Sequence, residues 1–319
     1  MLEKIQAAIA AIAYPERPEG LYEPISYAMS MGGKRLRPTL VLLAYSLFRP
    51  DWERALPAAV ALEMYHNHTL LHDDLMDRAD MRRGRATVHR KWNDNTAILS
   101  GDAMLLMAAG MIAGQRIGRY EDVNALFLKS AVEICEGQQY DVNFESRHDV
   151  TEEEYIEMIR LKTSVLLGCA AKMGALLADA TDEECDLLYR FAEKIGLAFQ
   201  LQDDFLDCFG DAKVFGKRIG GDILCGKKTF MTVAALQRMA SEAERDAFLS
   251  VLNAPAEGSE AEEAKISHVI ACYRRLNIPA VADRRIQDFY EEAHEILGKL
   301  NADTSQLWEY AVSLLKRKV

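Results

Sequence analysis

Apolar residues recur at steps of three and four along almost the whole chain, with charged and polar residues filling the intervals. That period belongs to helices whose faces are partly or wholly buried. No proline occurs between Pro57 and Pro255, and the stretch between them is rich in Ala, Leu, Met, Glu and Lys. These are strong helix formers, and proline would have broken the ladders they build. No run of alternating β-branched residues bounded by hairpin turns appears. The pattern predicts an all-α fold, with helices over 2–14, 19–31, 38–49, 53–77, 94–115, 120–145, 151–178, 182–208, 227–240, 242–252, 260–276, 279–301 and 304–317. Thr151 followed by Glu154, and Thr181 followed by Glu184, are capping boxes and mark the firmest starts. The stretch from Asn253 to Ser259 is loop-like, yet amphipathic pattern resumes on both sides. With no repeat of 20 to 50 residues, this predicts one domain over residues 1–319.

Two stretches depart from this economy. Leu70-Leu71-His72-Asp73-Asp74-Leu75-Met76-Asp77 sets three carboxylates in an apolar helix, and Leu201-Gln202-Asp203-Asp204-Phe205-Leu206-Asp207 echoes it. Residues four apart on a helix lie about 40° apart and roughly 6 Å along the axis, so Asp73 shares a face with Asp77, and Asp203 with Asp207. Like charges so placed destabilise a bare helix, and burying them costs several kcal/mol without a cation. Carboxylate oxygens are hard ligands. Mg²⁺ is typically held by one or two of them while water and substrate phosphate complete its shell. The expected ligand is a phosphorylated molecule bridged by Mg²⁺.

Composition narrows the class. The chain has 319 residues, 50% of them apolar, which is ample for a buried core. A net charge of −11 argues against nucleic acid as the main partner and makes an anionic substrate depend on local cations. The most apolar segment, Ala97 to Gly114, is interrupted by Asp102, so no transmembrane segment is expected. The N-terminal residues begin an amphipathic pattern rather than a secretion signal. The six cysteines form no C-x-x-C pair and have no histidines at finger-like spacing, which fits reduced thiols in the cytoplasm.

Basic turns supply the local cations. Gly32-Gly33-Lys34-Arg35-Leu36-Arg37-Pro38 joins two flexible residues to three cations just before a helix. Arg82-Arg83-Gly84 follows the first aspartate cluster, and Gly216-Lys217-Arg218 with Gly220-Gly221-Asp222 and Gly226-Lys227-Lys228-Thr229 follows the second. Any one of these could be a solvated loop. Their pairing with the two acidic clusters is the informative feature, because Arg binds phosphate as a planar fork and Lys as a point charge. His66 lies seven residues before Asp73, on the same helical face, where it could donate to a diphosphate. His72 faces elsewhere and receives no role. Met104, Met107 and Met111 recur at helical spacing and read as core.

Taken together these residues resemble the trans-polyprenyl diphosphate synthases, the head-to-tail isoprenyl chain elongators. Gly-Gly-Lys-Arg-Leu-Arg-Pro, the first aspartate motif with Arg82-Arg83-Gly84, Lys162-Thr163, and Phe199-Gln200-Leu201-Gln202-Asp203-Asp204 occur in that family's order and spacing. The resemblance implies an isoprenoid synthase-type helical bundle around a deep central cleft, working as a homodimer. It implies Asp73, Asp77 and Asp203 as direct Mg²⁺ ligands, supported by Asp74 and Asp207, with roughly three ions bound alongside substrate diphosphate. Arg82, Lys162, Thr163, Gln200 and Lys217 would hold the allylic diphosphate, with Lys162 and Lys217 taking part in catalysis, and Lys227 would bind substrate as well. Lys34, Arg37, His66 and Arg83 would hold isopentenyl diphosphate. One departure stands out: Cys225 occupies a place that is usually Glu before Gly-Lys.

The same resemblance addresses product length. Residues one to three turns before Asp73 would form the floor under a growing chain. Thr69 is small there, whereas His68 and Tyr65 are bulky, which predicts a short product of C15 to C20, leaning to geranylgeranyl diphosphate. The alternatives are a C25 to C40 synthase, a terpene cyclase, or a non-catalytic synthase subunit. A cyclase would not need the Gly32–Pro38 basic turn for a second substrate, and a non-catalytic subunit typically loses one aspartate cluster.

Overall fold

The structure is a computed structural model and describes residues 1–210 and 219–315. Its helices are α1 Leu2–Ala10, α2 Glu19–Ser30, α3 Leu36–Ser46, α4 Leu56–Met76, α5 Val88–Lys91, α6 Asp94–Ala113, α7 Tyr120–Ser146, α8 Glu152–Ile159, α9 Val165–Leu177 and α10 Asp182–Phe209. Then follow α11 Gly221–Leu224, α12 Phe230–Arg238, α13 Glu242–Asn253, α14 Ser259–Arg275, α15 Ile278–Leu297 and α16 Ser305–Leu315. The all-α reading holds. Both capping boxes form: the Thr151 hydroxyl accepts from the Glu154 N–H, and the Thr181 hydroxyl from that of Glu184.

Three local features depart from the periodic reading. Residues 151–178 are not one α-helix, because the turn Arg160–Ser164 widens to a π-helix between α8 and α9. Such a bulge keeps the helical path and adds one residue to a turn, so hydrophobic period does not reveal it. Second, Met81–Arg82 (β1) and Arg85–Ala86 (β2) pair antiparallel, the one strand pairing among the described residues. Its turn residues Arg83 and Gly84 have φ of 51° and 76°, as in the tightest hairpins. Third, α3 starts at Leu36 and holds Pro38 in its first turn, where a missing N–H costs nothing.

The chain divides into two compact units, Met1–Ser130 with Cys169–Tyr189, and Ala131–Gly168 with Arg190–Val319. The first is built on α4, whose residues Ala58 to Tyr65 are buried on every side. A helix apolar all round belongs inside a core. Helix α6 lies along it, and α3, α2 and α1 close around it. In the second unit α12 plays the equivalent part: Phe230 to Leu236 are all buried. Tyr155 and Met158 from α8, Leu197 and Leu201 from α10, and Tyr273 and Phe289 from α14 and α15 belong to the same core.

Candidate functional site

In each unit the aspartate cluster occupies the C-terminal turns of a long helix. Asp73 and Asp74 lie in the last turn of α4 and Asp77 caps it, its N–H bonded to the Asp73 carbonyl at 2.8 Å. Asp203, Asp204 and Asp207 lie in the last two turns of α10. A helix C-terminus carries the negative end of the dipole, so carboxylates gathered there repel one another and the helix as well. Cations relieve this most directly, and hydrogen-bond donors or protonation relieve it in part.

In the first unit part of that relief is an arginine. Arg82 grips Asp74 with Nε at 2.8 Å from each carboxylate oxygen, and its outer nitrogen lies 3.7 Å from Asp73. Asp74 is buried, so both its oxygens are committed to this fork. Burial alone would weaken the Arg82 charge, but the Asp74 hydrogen bonds and the neighbouring Asp73 and Asp77 outweigh it and raise its pKa.

The basic turn assembles beside it. The guanidinium of Arg83 donates to the carbonyl of Gly32. Gly33, at φ 121°, has a backbone conformation that favours glycine, and a Cβ there would lie 2.7 Å from Arg83 Cζ and push that guanidinium aside. Arg37 donates to His66 Nε2 at 3.1 Å. That contact assigns His66 as neutral, with its proton on Nδ1. Desolvation, then Arg37, Arg83, Arg82 and Arg35, push its pKa well below the usual value. Loss of water, then Arg35 and Arg82, also lowers the pKa of Arg83. Lys34 stands exposed on the turn. Arg37, His66 and Arg83 thus crowd positive potential into one place, a setting that favours an anion.

Arg35 belongs to a different task. It pairs with Glu63 at 2.6 Å with both side chains almost wholly buried, and it donates to the Met29 carbonyl. This ion pair ties the turn to α4 and removes Arg35 from ligand binding.

The second unit holds a cavity of about 220 Å³. Asp203, Asp207, Lys162, Thr163, Gln200 and Lys227 all line it. Lys217 lies outside the described residues. The π-turn carries Lys162 and Thr163, and Lys162 Nζ is 2.6 Å from Asp141 of α7. Thr163 donates to Gln200 Oε1 at 3.5 Å, and Gln200 donates to Asp204 Oδ1 at 3.3 Å. Asp204 is buried and accepts from the Tyr155 hydroxyl at 2.5 Å and from the Phe230 N–H at 3.2 Å. Burial pushes its carboxyl up to about 7 against those hydrogen bonds. Asp207 accepts from the Asp222 N–H at 3.1 Å.

Sequence reasoning missed Asp141 and Tyr155 and gave Asp222 no role of its own; all three line the same cavity. Gly137, four residues before Asp141, carries a faint signal. A Cβ there would stand 2.3 Å from the Lys162 backbone nitrogen, so the glycine lets α7 meet the π-turn. Lys228 is also distinct from Lys227: its ammonium binds the carbonyls of Phe144, Glu145 and Arg147 at the end of α7. Cys225 is exposed, and its turn is closed by the backbone bonds Gly226 N–H to Ile223 and Lys227 N–H to Asp222. The local geometry therefore does not depend on the side chain at 225.

The donor set suits a hard divalent cation. Among the described residues no three acidic, histidine or cysteine side chains converge on one point. Mg²⁺ is typically held by one or two protein carboxylates, with water and phosphate oxygens in its remaining positions.

The residues expected to floor the growing chain sit within α4. Tyr65 is buried with its ring 5.1 Å from Phe127 and 5.5 Å from His68. His68 makes a 2.9 Å contact through Nδ1 to the carbonyl of Gly101, so that nitrogen carries the proton. Desolvation first, and then His72, lower its pKa to about 4. Thr69 is half-buried and donates to the His66 carbonyl at 2.8 Å.

A family model described as polyprenyl synthetase matches residues 18–270. A short chain isoprenyl diphosphate synthase of Methanocaldococcus jannaschii is 41% identical over 268 residues, covering 83% of this chain and 80% of that protein. A geranylgeranyl diphosphate synthase of Methanosarcina mazei is 43% identical over 239 residues, 73% of each. Among solved structures, a crystal structure of a geranylgeranyl pyrophosphate synthase matches with a TM-score of 0.91 at 39% identity. It covers all of this chain and 97% of that one.

Proposed function

Because the chain belongs to the polyprenyl synthetase family, we propose that it condenses isopentenyl diphosphate head-to-tail with an allylic diphosphate, and that its product is geranylgeranyl diphosphate. The observation that carries this reading is the crowding of Arg37, His66 and Arg83 at the Gly32–Gly33 turn, beside an aspartate cluster that already has its own arginine. One anion site beside a metal-binding cluster would serve an ionising enzyme with a single substrate. A second cationic site is what a second diphosphate requires.

Asp73, Asp77 and Asp203 would hold Mg²⁺, with Asp74 and Asp207 shaping their surroundings. When bound, the metal supplies positive charge to the leaving diphosphate. Arg82, Lys162, Thr163, Gln200, Lys217 and Lys227 bind the allylic diphosphate, and Lys162 leaves Asp141 for a phosphate oxygen. Lys34, Arg37, His66 and Arg83 orient isopentenyl diphosphate so that its double bond faces the allylic carbon. The allylic C–O bond breaks, a C–C bond forms at the same carbon, and a proton leaves the new chain. These residues work by charge and orientation, and no side chain becomes a nucleophile.

His68 and Tyr65 would floor the chain channel. Both are locked by neighbours, His68 on Gly101 and Tyr65 against Phe127, and such a floor resists displacement by a growing chain. The two units act as one synthase domain over residues 1–319, a reading supported by a family match that runs through both. Six free thiols suit a reducing, cytoplasmic compartment. A homodimer is supported by the exposed apolar stripe of α6, in which Leu99 is 60% and Leu106 71% exposed.

The test is an incubation of the purified chain with Mg²⁺, isopentenyl diphosphate and, separately, C5, C10 and C15 allylic diphosphates, with products sized by mass spectrometry. Diphosphate release that needs both substrates and ends at C20 is the expected result. Release from the allylic substrate alone would make the chain a cyclase, and no release from folded protein would make it a non-catalytic subunit.

A further inference from the structure

The β1–β2 hairpin carries both Arg82 and Arg83, yet its ladder is two residues long. A pairing that short does not hold its own shape in water. Its strands are fastened instead to α2, and the fastening converges on Tyr27. The Tyr27 hydroxyl donates to the Ala86 carbonyl at 2.8 Å. Arg85 lies over the Tyr27 ring at 4.1 Å and also donates to the hydroxyl of Ser30 at 3.0 Å. Lys91, just beyond the hairpin, lies 4.0 Å over the same ring, and Trp92 meets it edge-on at 5.2 Å. Two cations on one aromatic face system and a hydroxyl on the adjacent strand make this an anchor rather than a chance contact.

The two arginines depend on that anchor unequally. Arg82 has its own lock in the fork to Asp74. Arg83 sits at φ 51°, a conformation that a side chain with a Cβ keeps only when its surroundings impose it, and its grip is a single bond to Gly32. Gly32 follows α2 by two residues, so Tyr27 fixes both ends of this contact: the helix that leads into the turn and the hairpin that brings Arg83 to it. We propose that Tyr27 is a positioning residue for the second diphosphate, holding the hairpin so that Arg83 completes the site beside Arg37 and His66. This rests on the reading that Arg83 serves isopentenyl diphosphate.

The substitution Tyr27→Phe keeps the ring and its cations and deletes the hydroxyl bond to Ala86. The KM for isopentenyl diphosphate is expected to rise about three- to tenfold, the worth of one hydrogen bond. The KM for the allylic substrate, kcat and the unfolding temperature should stay close to wild type. Arg85→Met, which removes a cation and the Ser30 bond while leaving Tyr27 in place, should act in the same direction. In an Arg83→Gln background Tyr27→Phe should add nothing, because the residue through which it acts is gone. Hydrogen exchange reads the anchor without any reaction: the amides of residues 82–86 should exchange faster in Tyr27→Phe. Unchanged exchange would overturn the proposal whatever the enzyme does. So would equal rises in both KM values, or full additivity with Arg83→Gln. A wild-type chain that condenses nothing while its hairpin loosens in Tyr27→Phe would sink the substrate reading and leave the anchor standing.

Discussion

At the scale of single residues, His68 carries two roles that separate by experiment. Its imidazole is neutral and bonded to Gly101, with a pKa lowered to about 4 from an ordinary 6.5. A group that binds its proton less readily when folded stabilises the fold above its unfolded pKa, and that contribution is lost as pH falls through the window from 6.5 to about 4. His66 is displaced in the same direction. The denaturation midpoint should therefore drop as pH falls across this window, and His68→Asn should flatten the slope; an identical slope in the variant would mean that His66 and other groups carry it. The second role concerns product length. His68→Ala, or Tyr65→Ala, deletes bulk from the floor and should shift the mass-spectrometric ladder from C20 towards C25 and beyond. An unchanged ladder in both would put the floor on another helix. Cys225 offers the converse case. Its side chain is exposed and the turn beneath it is closed by backbone bonds, so Cys225→Ser should leave kcat and both KM values within about twofold.

Among the elements, the π-turn Arg160–Ser164 has the clearest consequence. It presents Lys162 and Thr163 to the cavity, and Gly137 of α7 packs directly onto its backbone. A methyl group at 137 would stand 2.3 Å from Lys162 N and 2.7 Å from Leu161 C, both main-chain atoms that cannot swing aside. Overpacking of this kind typically costs about 1–3 kcal/mol, taken up by backbone shifts. Gly137→Ala should lower the unfolding midpoint by several degrees and raise the KM for the allylic diphosphate more than that for isopentenyl diphosphate, because the displaced turn bears on the former. Steady-state kinetics with each substrate varied in turn checks this, and equal rises would mean a general loss of fold. The element was not legible beforehand for a physical reason. Periodicity reads which face is buried, and a π-turn slips the register by one residue without changing that face, so residues 151–178 look like a single helix. The hairpin escaped for a similar reason: four strand residues among arginines carry no alternation to read. The capping boxes at Thr151 and Thr181 were legible because each is a closed local circuit of two hydrogen bonds.

For the molecule as a whole, what could be read was what repeats or recurs. A helical period sustained over hundreds of residues declares an all-α chain, and two acidic clusters with paired basic turns declare diphosphate chemistry. Charges that recur across the molecule without being close in sequence stayed hidden: nothing marks Glu63 as the partner of Arg35, or Asp141 as that of Lys162. The same limit applies to surfaces. Helix α6 is long and apolar enough to cross a membrane by length and composition, but Ala97, Met104, Ala108 and Ile112 are buried, and α4 lies along the helix. Leu99, Ala103, Leu106, Gly110 and Ala113 form the opposite stripe at steps of four and three, and its two leucines are largely exposed. Burying one leucine contributes about 1.5–3 kcal/mol, and a two-fold interface buries each twice. A second copy of this chain is the occupant we expect. Light scattering on a sizing column should give twice the mass of 35.8 kDa for the wild type. Leu106→Glu would bring two carboxylates together across the symmetry axis in an apolar setting, so it should elute as a monomer with its helical content intact. A wild type that is monomeric at micromolar concentration, or a Leu106→Glu variant that remains dimeric, would remove α6 from the interface.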